Sequence, residues 1–241
     1  MFDNQVALVV APHADDEVLG CGGAAMTLIA AGWEVDVLVL TYLDEKNRRG
    51  TMIQQHATLL EVARFVGFSD VRQLSFADVN SRSYRAQSME MTGIPEIATA
   101  IRETIISSEP SIVFCPHIGD LHVDHRFAAE ATHVACRLNW WGAEDTVRAV
   151  LAYETVGTTH RAPTVPFVAN VYVDISSYLD KKLEAFAMYD GEVMASPHAR
   201  SLDAVRWQAQ LRGSQVGVPA AEAFSLVTSL WQPANLLDVT S

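Results

Sequence analysis

The sequence predicts an α/β fold in which a mostly parallel sheet carries helices on both faces. Two short apolar runs, Val6 to Ala11 and Ser111 to Cys115, are typical of strands buried on both faces. Helical spacing follows each run, and a strand, a helix and a strand in succession imply parallel pairing with a right-handed crossover. The 241 residues have a 49% hydrophobic composition, which suffices for one core. We therefore expect one doubly wound, Rossmann-like domain.

The first half of the chain alternates between strand and helix signals. The expected elements are a strand at Val6 to Ala11, a helix at Glu17 to Ala31, a strand at Trp33 to Thr41, a helix ending near Phe65 and a strand at Val71 to Leu74. Gly67 is the predicted stop of the second helix, because glycine readily adopts the backbone conformation that ends helices. Residues Ser75 to Gly93 are polar and irregular, and we interpret them as a long loop beside the substrate.

The same alternation continues in the second half. The expected elements are a helix at Pro95 to Ser107, a strand at Ser111 to Cys115, a helix at Asp124 to Arg137, strands at Val147 to Glu154 and Asn170 to Ile175, and helices at Ser177 to Tyr189 and Leu202 to Arg212. The alternating pattern of the Asn170 run favours an antiparallel or edge strand. The last apolar segment, Ala220 to Leu230, is expected to pack back on the domain. No repeat or linker divides the chain.

Composition and charge exclude several classes of protein. The apolar runs are far shorter than the roughly 20 residues of a membrane-spanning helix, and the first residues lack the pattern of an export signal. A formal net charge of -12 argues against nucleic acid, which is bound mainly through lysine and arginine. The three cysteines form no CxxC pair, so we expect no disulfide framework and a cytoplasmic location.

Two polar clusters follow buried strands, at the positions where open parallel sheets bind ligands. They are His13, Asp15, Asp16 and Glu17 after the first strand, and His122, Asp124 and His125 after the Ser111 to Cys115 strand. Catalytic zinc sites take three imidazole or carboxylate ligands and keep one position open for water. A cation would also offset the several kcal/mol that burying adjacent acids costs. The alternative is that these side chains only cap their helices.

The two clusters resemble the hallmark motifs of the PIG-L/LmbE-like de-N-acetylases, His-Pro-Asp-Asp-Glu after the first strand and a later His-x-Asp-His. Further segments resemble other parts of that family, so the resemblance covers most of the chain; they are Gly20 to Gly23, Ser196 to Ser201, Arg212-Gly213, Gly217 and Ala221 to Phe224. Gly20 to Gly23 lie inside the predicted helix, which favours close helix-sheet packing over phosphate binding. Ala14 stands where the family usually has proline, which loosens a turn without removing a ligand. The resemblance implies one deacetylase domain over residues 1–241.

The resemblance also implies a metal site and a catalytic base. It implies one zinc ion per chain, or another divalent cation, bound by His13, Asp16 and His125. Asp15 would be the general base that takes a proton from the attacking water. His122 would be the electrophilic partner that faces the oxyanion on the acyl oxygen, and if protonated it would stabilise that charge together with the metal.

Other polar residues are assigned around this centre. Asp124 is expected to favour the protonated state of His122, and Asp124 and Asp120 would both lie beside the metal ligands. Substrate contacts are expected from Arg49 and Arg82, which lie in loops, and from Asp120. These assignments come from the resemblance and from position in the predicted loops.

The expected function is zinc-dependent removal of an acyl group, most simply acetyl, from the nitrogen of an amino sugar or sugar conjugate. One alternative is a zinc amidase that acts on an N-acyl group outside sugars. Another is a non-catalytic nucleotide- or sugar-binding domain, which the complete set of Asp15, His122 and the three ligands disfavours. The expected partner is a small N-acetylated sugar, with assembly into a homo-oligomer left open.

Overall fold

A seven-stranded sheet forms the centre of the part of the chain that the computed structural model describes, residues 4–42, 52–77, 89–137, 146–161 and 165–230. The strands are β1 (Val6–Ala11), β2 (Glu34–Tyr42), β3 (Val71–Ala77), β4 (Ile112–Pro116), β5 (Ala149–Tyr153), β6 (Val171–Asp174) and β7 (Ala221–Ser229). Their order in the sheet is β3-β2-β1-β4-β5-β7-β6. Strands β1 to β5 pair in parallel, whereas β7 is antiparallel to both of its neighbours.

Helices cover both faces of this sheet. They are α1 (Asp16–Ala30), α2 (Met52–Val66), α3 (Met89–Thr92), α4 (Ile94–Ser108), α5 (Val123–Ala135), α6 (Leu179–Ala187) and α7 (Leu202–Val216). Helices α4 and α5 pack on one face, where Ile101 and Ala128 belong to the same apolar cluster as Leu8. Helix α1 packs on the other face, and α6 and α7 extend that layer through a second cluster with α1 and α2. The expected α/β class with helices on both faces is confirmed.

Strand β1 shows how a continuous apolar run serves two cores. Leu8 and Val10 point into the cluster with α4 and α5, whereas Ala7, Val9 and Ala11 point into the cluster with α1. All five side chains are completely buried. Because successive side chains of a strand point to opposite faces, a central strand of such a sheet has no polar face, and its sequence does not alternate.

The chain changes direction across the sheet between β1 and β4. From β1 it adds β2 and β3 on one side, then returns to place β4 on the other side, so β1 pairs in parallel with both β2 and β4. Such a reversal opens a crevice beyond the carboxyl ends of the two central strands, because their following connections lead away to opposite sides. The loops after Ala11 and Pro116 border this crevice.

Helix α1 is interrupted at Cys21, whose backbone angles are not helical (φ -150°, ψ 19°). The interruption frees backbone groups inside the core, and a buried ion pair satisfies them. The carboxylate of Glu222 on β7 accepts the N–H groups of Gly23 and Ala24 at 2.9 and 2.7 Å. Lys182 of α6 donates to the carbonyl of Leu19 at 2.9 Å and to Glu222 at 2.6 Å. The pair therefore serves as an internal cap for both halves of the helix.

The glycines of α1 allow the helix to lie directly on its neighbours, as expected. A Cβ at Gly20 would collide with the ring of Tyr153 on β5, and one at Gly23 would lie 2.7 Å from the side chain of Ile175. The interpretation of Gly20 to Gly23 as packing residues is thus confirmed at these two positions.

The structure revises two of the expected segments. Part of the predicted loop from Ser75 to Gly93 is regular, since β3 extends to Ala77 and α3 begins at Met89, which is completely buried. In the sequence, the polar residues of this segment obscured the apolar side of α3. Residues 78–88 lie outside the described part. The segment Ala220 to Leu230, expected only to pack on the domain, forms β7 inside the sheet.

The Asn170 run forms β6 at the sheet edge, antiparallel to β7, as its alternation predicted. Among the described residues, no helix has both the length and the apolar character required to cross a lipid bilayer.

Candidate active site

Two loops at the crevice between β1 and β4 bring the polar clusters together. His13 follows β1, whereas His122 is the N-cap of α5 and His125 lies in the first turn of that helix. His122 takes the cap position because its Nδ1 accepts the backbone N–H of Asp124 at 3.3 Å. The three imidazole rings therefore meet, with centroids 4.8 to 5.4 Å apart.

The carboxylate of Asp16 lies between two of these rings. Its Oδ2 is 3.0 Å from Nδ1 of His13 and 3.1 Å from Nε2 of His125. Asp16 is buried, and burial alone acts to raise its pKa; the imidazoles of His125 and His13 more than offset this and hold the pKa of Asp16 well below its usual range. The carboxylate is therefore ionised and directed at the point that both imidazoles face.

The second nitrogen of each of these two imidazoles faces a different buried carboxylate. Nε2 of His13 lies 3.1 Å from Oδ2 of Asp124, and Nδ1 of His125 lies 3.5 Å from Oδ2 of Asp120. Both aspartates are completely buried. A carboxylate behind a metal-binding histidine fixes the orientation of its ring and makes it a better ligand. His13 and His125 have this arrangement.

The donor set at this point fits a divalent cation. Ligand atoms about 2.0 Å from a tetrahedral zinc ion are about 3.3 Å apart, close to the observed separations of Asp16 from the two imidazole nitrogens. Nitrogens of His13, His122 and His125 also lie within 4.8 Å of one another, so His122 is a further candidate ligand. The buried carboxylate behind each ring singles out His13 and His125, whereas Nδ1 of His122 faces a backbone N–H.

The backbone of Asp15 is held in an unusual conformation, with φ 130° and ψ -28°. A residue with a Cβ rarely adopts such a positive φ, and such strain clusters at functional sites. The N–H of Asp15 donates to Oε2 of Glu17 at 2.9 Å, and the hydroxyl of Tyr189 donates to the other oxygen of Glu17. The side chain of Glu17 is therefore a buried support for the turn that carries Asp15.

The carboxylate of Asp15 is also buried, and it forms an ion pair with Arg200. Burial raises the pKa of Asp15 to about 7, although the positive charge of Arg200 opposes the rise. A carboxyl group with a pKa near 7 can both accept and release a proton at neutral pH, which suits a general acid-base residue.

The surroundings of His122 favour the neutral ring, a state that the resemblance left open. Burial, together with the neighbouring His13 and His125, lowers the pKa of His122 to about 4, so the ring is neutral near pH 7. The charge of Asp124 acts to raise the pKa of His122, as expected, but burial and the two neighbouring imidazoles outweigh it, and the carboxylate itself lies against Nε2 of His13. Because Nδ1 of His122 accepts the Asp124 N–H, the ring proton lies on Nε2, and the neutral ring can still donate one hydrogen bond.

Asp120 lies behind His125 and does not line the cleft beside it. It has no exposed surface, and it accepts hydrogen bonds from the hydroxyls of Thr158 and Thr159 at 3.0 and 2.7 Å and from the N–H of His122 at 2.8 Å. The expected substrate contact of Asp120 does not fit this position. Arg49 and Arg82, the other two residues expected to bind substrate, lie outside the described residues.

A cleft of about 300 Å³ opens beside the imidazoles and Asp15. The cleft is also lined by residues that the sequence did not single out, among them Thr155, Thr158, Arg161, His198 and Arg200. One signal for Arg200 was present, because it lies in the Ser196 to Ser201 segment that resembles the family. The position of the others depends on how the segments after β5 and α6 fold over the crevice.

Comparison with known proteins supports this site. The sequence model of the PIG-L family, described as GlcNAc-PI de-N-acetylase, matches residues 8–136, which include both polar clusters. The chain is 27% identical to the uncharacterized deacetylase YaiS of Escherichia coli (strain K12) over 158 residues, 63% of this chain and 74% of YaiS.

Two solved structures share the fold. The conserved protein TT1542 from Thermus thermophilus is similar with a TM-score of 0.74 and 26% identity, covering 97% of this chain and 98% of that protein. The N,N'-diacetylchitobiose deacetylase from Pyrococcus horikoshii is similar with a TM-score of 0.71 and 20% identity, covering 94% of this chain and 85% of that enzyme.

Proposed function

The chain belongs to the PIG-L family of GlcNAc-PI de-N-acetylases, and on this premise we propose that it is a metal-dependent hydrolase that removes the N-acetyl group of an amino sugar or sugar conjugate. The observation that carries the proposal is the position of Asp16, whose carboxylate lies 3.0 and 3.1 Å from the nitrogens of His13 and His125 beside the strained Asp15. Three donor atoms and one neighbouring base are what a hydrolytic metal site requires.

The proposed ligands are His13, Asp16 and His125, and the proposed ion is zinc. When bound, such an ion lowers the pKa of a coordinated water toward about 7 and polarises the acyl carbonyl. Asp124 and Asp120 hold the two imidazoles in place through their outer nitrogens.

Asp15 and His122 are the proposed catalytic residues. Asp15 accepts the proton of the attacking water as the bond to the acyl carbon forms, and it returns a proton to the amine nitrogen as the C–N bond breaks. Its pKa of about 7 suits both steps. His122 donates a hydrogen bond from Nε2 to the acyl oxygen as negative charge develops there, and a neutral ring suffices for this role.

An N-acetyl amino sugar is the proposed substrate. The family description and the N,N'-diacetylchitobiose deacetylase that shares this fold both name N-acetylated sugars. The cleft is lined by the polar side chains of Arg161 and His198, which can form hydrogen bonds to sugar hydroxyls. Contacts from Arg49 and Arg82 remain predictions.

Two broader features of the protein are also proposals. We expect the whole chain to act as one deacetylase domain, because β7 and the segment before α7 supply parts of the sheet and of the cleft outside the matched residues 8–136. A cytoplasmic location agrees with the cysteines, none of which forms a disulfide.

Two other functions stay as alternatives. A metal amidase for an N-acyl group outside sugars would use the same residues. A non-catalytic binding domain is disfavoured, because binding alone gives no reason for a strained Asp15 with a pKa near 7.

The test is metal analysis of the purified protein combined with a screen for amine release. The panel contains N-acetylglucosamine, N,N'-diacetylchitobiose and a nucleotide-linked N-acetyl sugar, with N-acetyl amino acids as the non-sugar arm. We expect about one divalent ion per chain, equal amounts of acetate and amine from a sugar, and loss of activity in strong chelator. Full activity without metal would overturn the metal-dependent mechanism. Turnover confined to the N-acetyl amino acids would overturn the proposal of a sugar substrate.

A further inference from the structure

Arg200 reaches the proposed base from a distant part of the chain. It lies between α6 and α7, outside the residues that the family comparison matches, and its Nη2 donates to the carboxylate of Asp15, 185 positions earlier. Asp15 is only 2% exposed, so this guanidinium meets a carboxylate that bulk water hardly reaches. An ion pair in such surroundings has a defined geometry, since few competing partners are available.

The guanidinium is itself held by its own segment. Nη2 of Arg200 lies 2.6 Å from Oε2 of Glu192, and Nε donates to the backbone carbonyl of Glu192 at 3.3 Å. The guanidinium also lies over the ring of Phe186, 6.0 Å from its centroid. Glu192 is buried. Arg200 therefore has contacts that fix it independently of Asp15.

Asp15 needs support from outside its own turn. Its backbone has a φ of 130°, which is unfavourable for a residue with a Cβ, so the surrounding structure must hold it. Glu17 holds the backbone N–H of Asp15, but that contact leaves the side chain free to rotate. The contact that restrains the carboxylate comes from Arg200.

We propose that Arg200 is a positioning residue that fixes the orientation of the Asp15 carboxylate toward the cleft, and that Glu192 in turn fixes Arg200. The proposal rests on the proposed role of Asp15 as the base. It assigns a role to a segment that lies outside the two polar clusters. Arg200 also borders the cleft, so direct contact with the substrate is the competing role.

Kinetics of R200M, R200K and D15N separate these roles. We expect R200M to lower kcat by roughly 10- to 100-fold, because a misplaced base loses most of its effect, while KM and metal content stay within about twofold of wild type. R200K should recover part of kcat, since its ammonium can pair with one carboxylate but cannot bridge two. D15N/R200M should be no slower than D15N, because a residue that acts through Asp15 has no effect once the base is gone.

Three results would overturn the proposal: an unchanged kcat in R200M, a rise in KM alone, or losses in D15N and R200M that multiply. R200M could fold poorly because two buried acids lose their partner. In that case E192Q/R200M, which removes one of the two acids, replaces R200M in the comparison.

A readout without activity keeps this inference separate from the proposed function. Thermal unfolding midpoints of wild type, D15N, R200M and the double variant form a cycle, and a direct Asp15–Arg200 contact predicts shifts that are not additive. If wild type releases no amine from any substrate, the proposed function fails while this cycle still tests the contact. Additive shifts would show that Arg200 does not hold Asp15.

Discussion

His125 and Asp16 lie 3.1 Å apart, nitrogen to oxygen, although they belong to the first turns of helices that follow different strands. They meet because β1 and β4 are parallel neighbours, so the loops before both helices leave the same edge of the sheet. Both side chains are buried. A substitution at either position should therefore act on the proposed metal site directly. Substitutions of the residues beside them should have a different effect.

The first prediction contrasts the neighbours Asp15 and Asp16. D15N should keep its metal and lose kcat by about 100-fold or more, because an amide cannot accept the water's proton. D16A should lose metal first, and excess zinc should restore part of its activity by refilling the weakened site. The measurement is metal content and kcat of both variants across a zinc titration. Metal loss in D15N with recovery at high zinc would make Asp15 a ligand.

The second prediction decides between His122 and Asp16 as the third ligand. H125A should empty the site, whereas H122A should keep about one metal ion per chain and lose kcat by roughly 100-fold through the missing hydrogen bond to the acyl oxygen. H198A, which also removes an imidazole that lines the cleft, is the control. A metal content in H122A as low as in H125A would mean that three histidines hold the ion.

The third prediction concerns Asp120, which lies behind His125 at 3.5 Å and has no exposed surface. D120N should weaken metal affinity by roughly 10- to 100-fold, the usual effect of losing a carboxylate behind a metal-binding histidine. At saturating zinc its KM should match wild type. A raised KM with unchanged metal affinity would instead support direct substrate contact.

The fourth prediction concerns the acid stability that Glu154 provides. Burial acts to raise its pKa, but hydrogen bonds from Arg212 at 2.5 and 2.6 Å and from His160 at 2.5 Å lower it to about 2, from an ordinary value of 4.5. A lowered folded-state pKa stabilises the fold above pH 4.5, and this stabilisation is lost as the pH falls toward 2; it amounts to on the order of 3 kcal/mol.

Chemical unfolding of wild type and E154Q between pH 7 and pH 2 provides the measurement. The difference in unfolding free energy between the two proteins should be constant above about pH 5 and should shrink below pH 4.5, since only wild type gains a proton at this position on unfolding. A difference that stays constant down to pH 2 would show that Glu154 has no lowered pKa.

The fifth prediction tests the buried Lys182–Glu222 ion pair that caps the interruption of α1. K182M leaves the buried carboxylate of Glu222 without its cation and should lower the unfolding free energy by roughly 3–5 kcal/mol. The matched control is R206A, which breaks an exposed pair with Asp180 and should cost less than about 1 kcal/mol. Equal losses in the two variants would show that the buried pair has no special role.

The sequence indicated that His13, Asp16 and His125 meet, because these residues are local to two strand ends. His13 and Asp16 are three positions apart, and His122 and His125 are as well, so only the pairing of β1 with β4 had to be inferred. The direction of the Asp124 carboxylate was not predictable in the same way. That direction depends on the N-cap position of His122, which leaves the carboxylate of Asp124 beside His13 and away from the ring of His122.

Contacts between segments far apart in the sequence could not be predicted from residue pattern and periodicity. Arg200 meets Asp15 only because the segment between α6 and α7 crosses the crevice, and nothing in its local sequence encodes that path. The placement of β7 is similar. Its residues show a strand-compatible pattern, but insertion between β5 and β6 depends on long-range pairing, which local propensity does not determine.

The late position of β7 in the chain also bears on how the protein is made. β5 ends at Tyr153, but its outer neighbour β7 ends at Ser229, so at about 5–20 residues per second roughly 4 to 15 s pass on the ribosome between the two. During that interval the edge of β5 offers unpaired backbone groups, β6 has no strand to join, and Lys182 lacks Glu222. Until β7 is made, the edge of β5 therefore offers a site for pairing with another chain, and the pairing of β7 both extends the sheet and brings Glu222 to the interrupted helix.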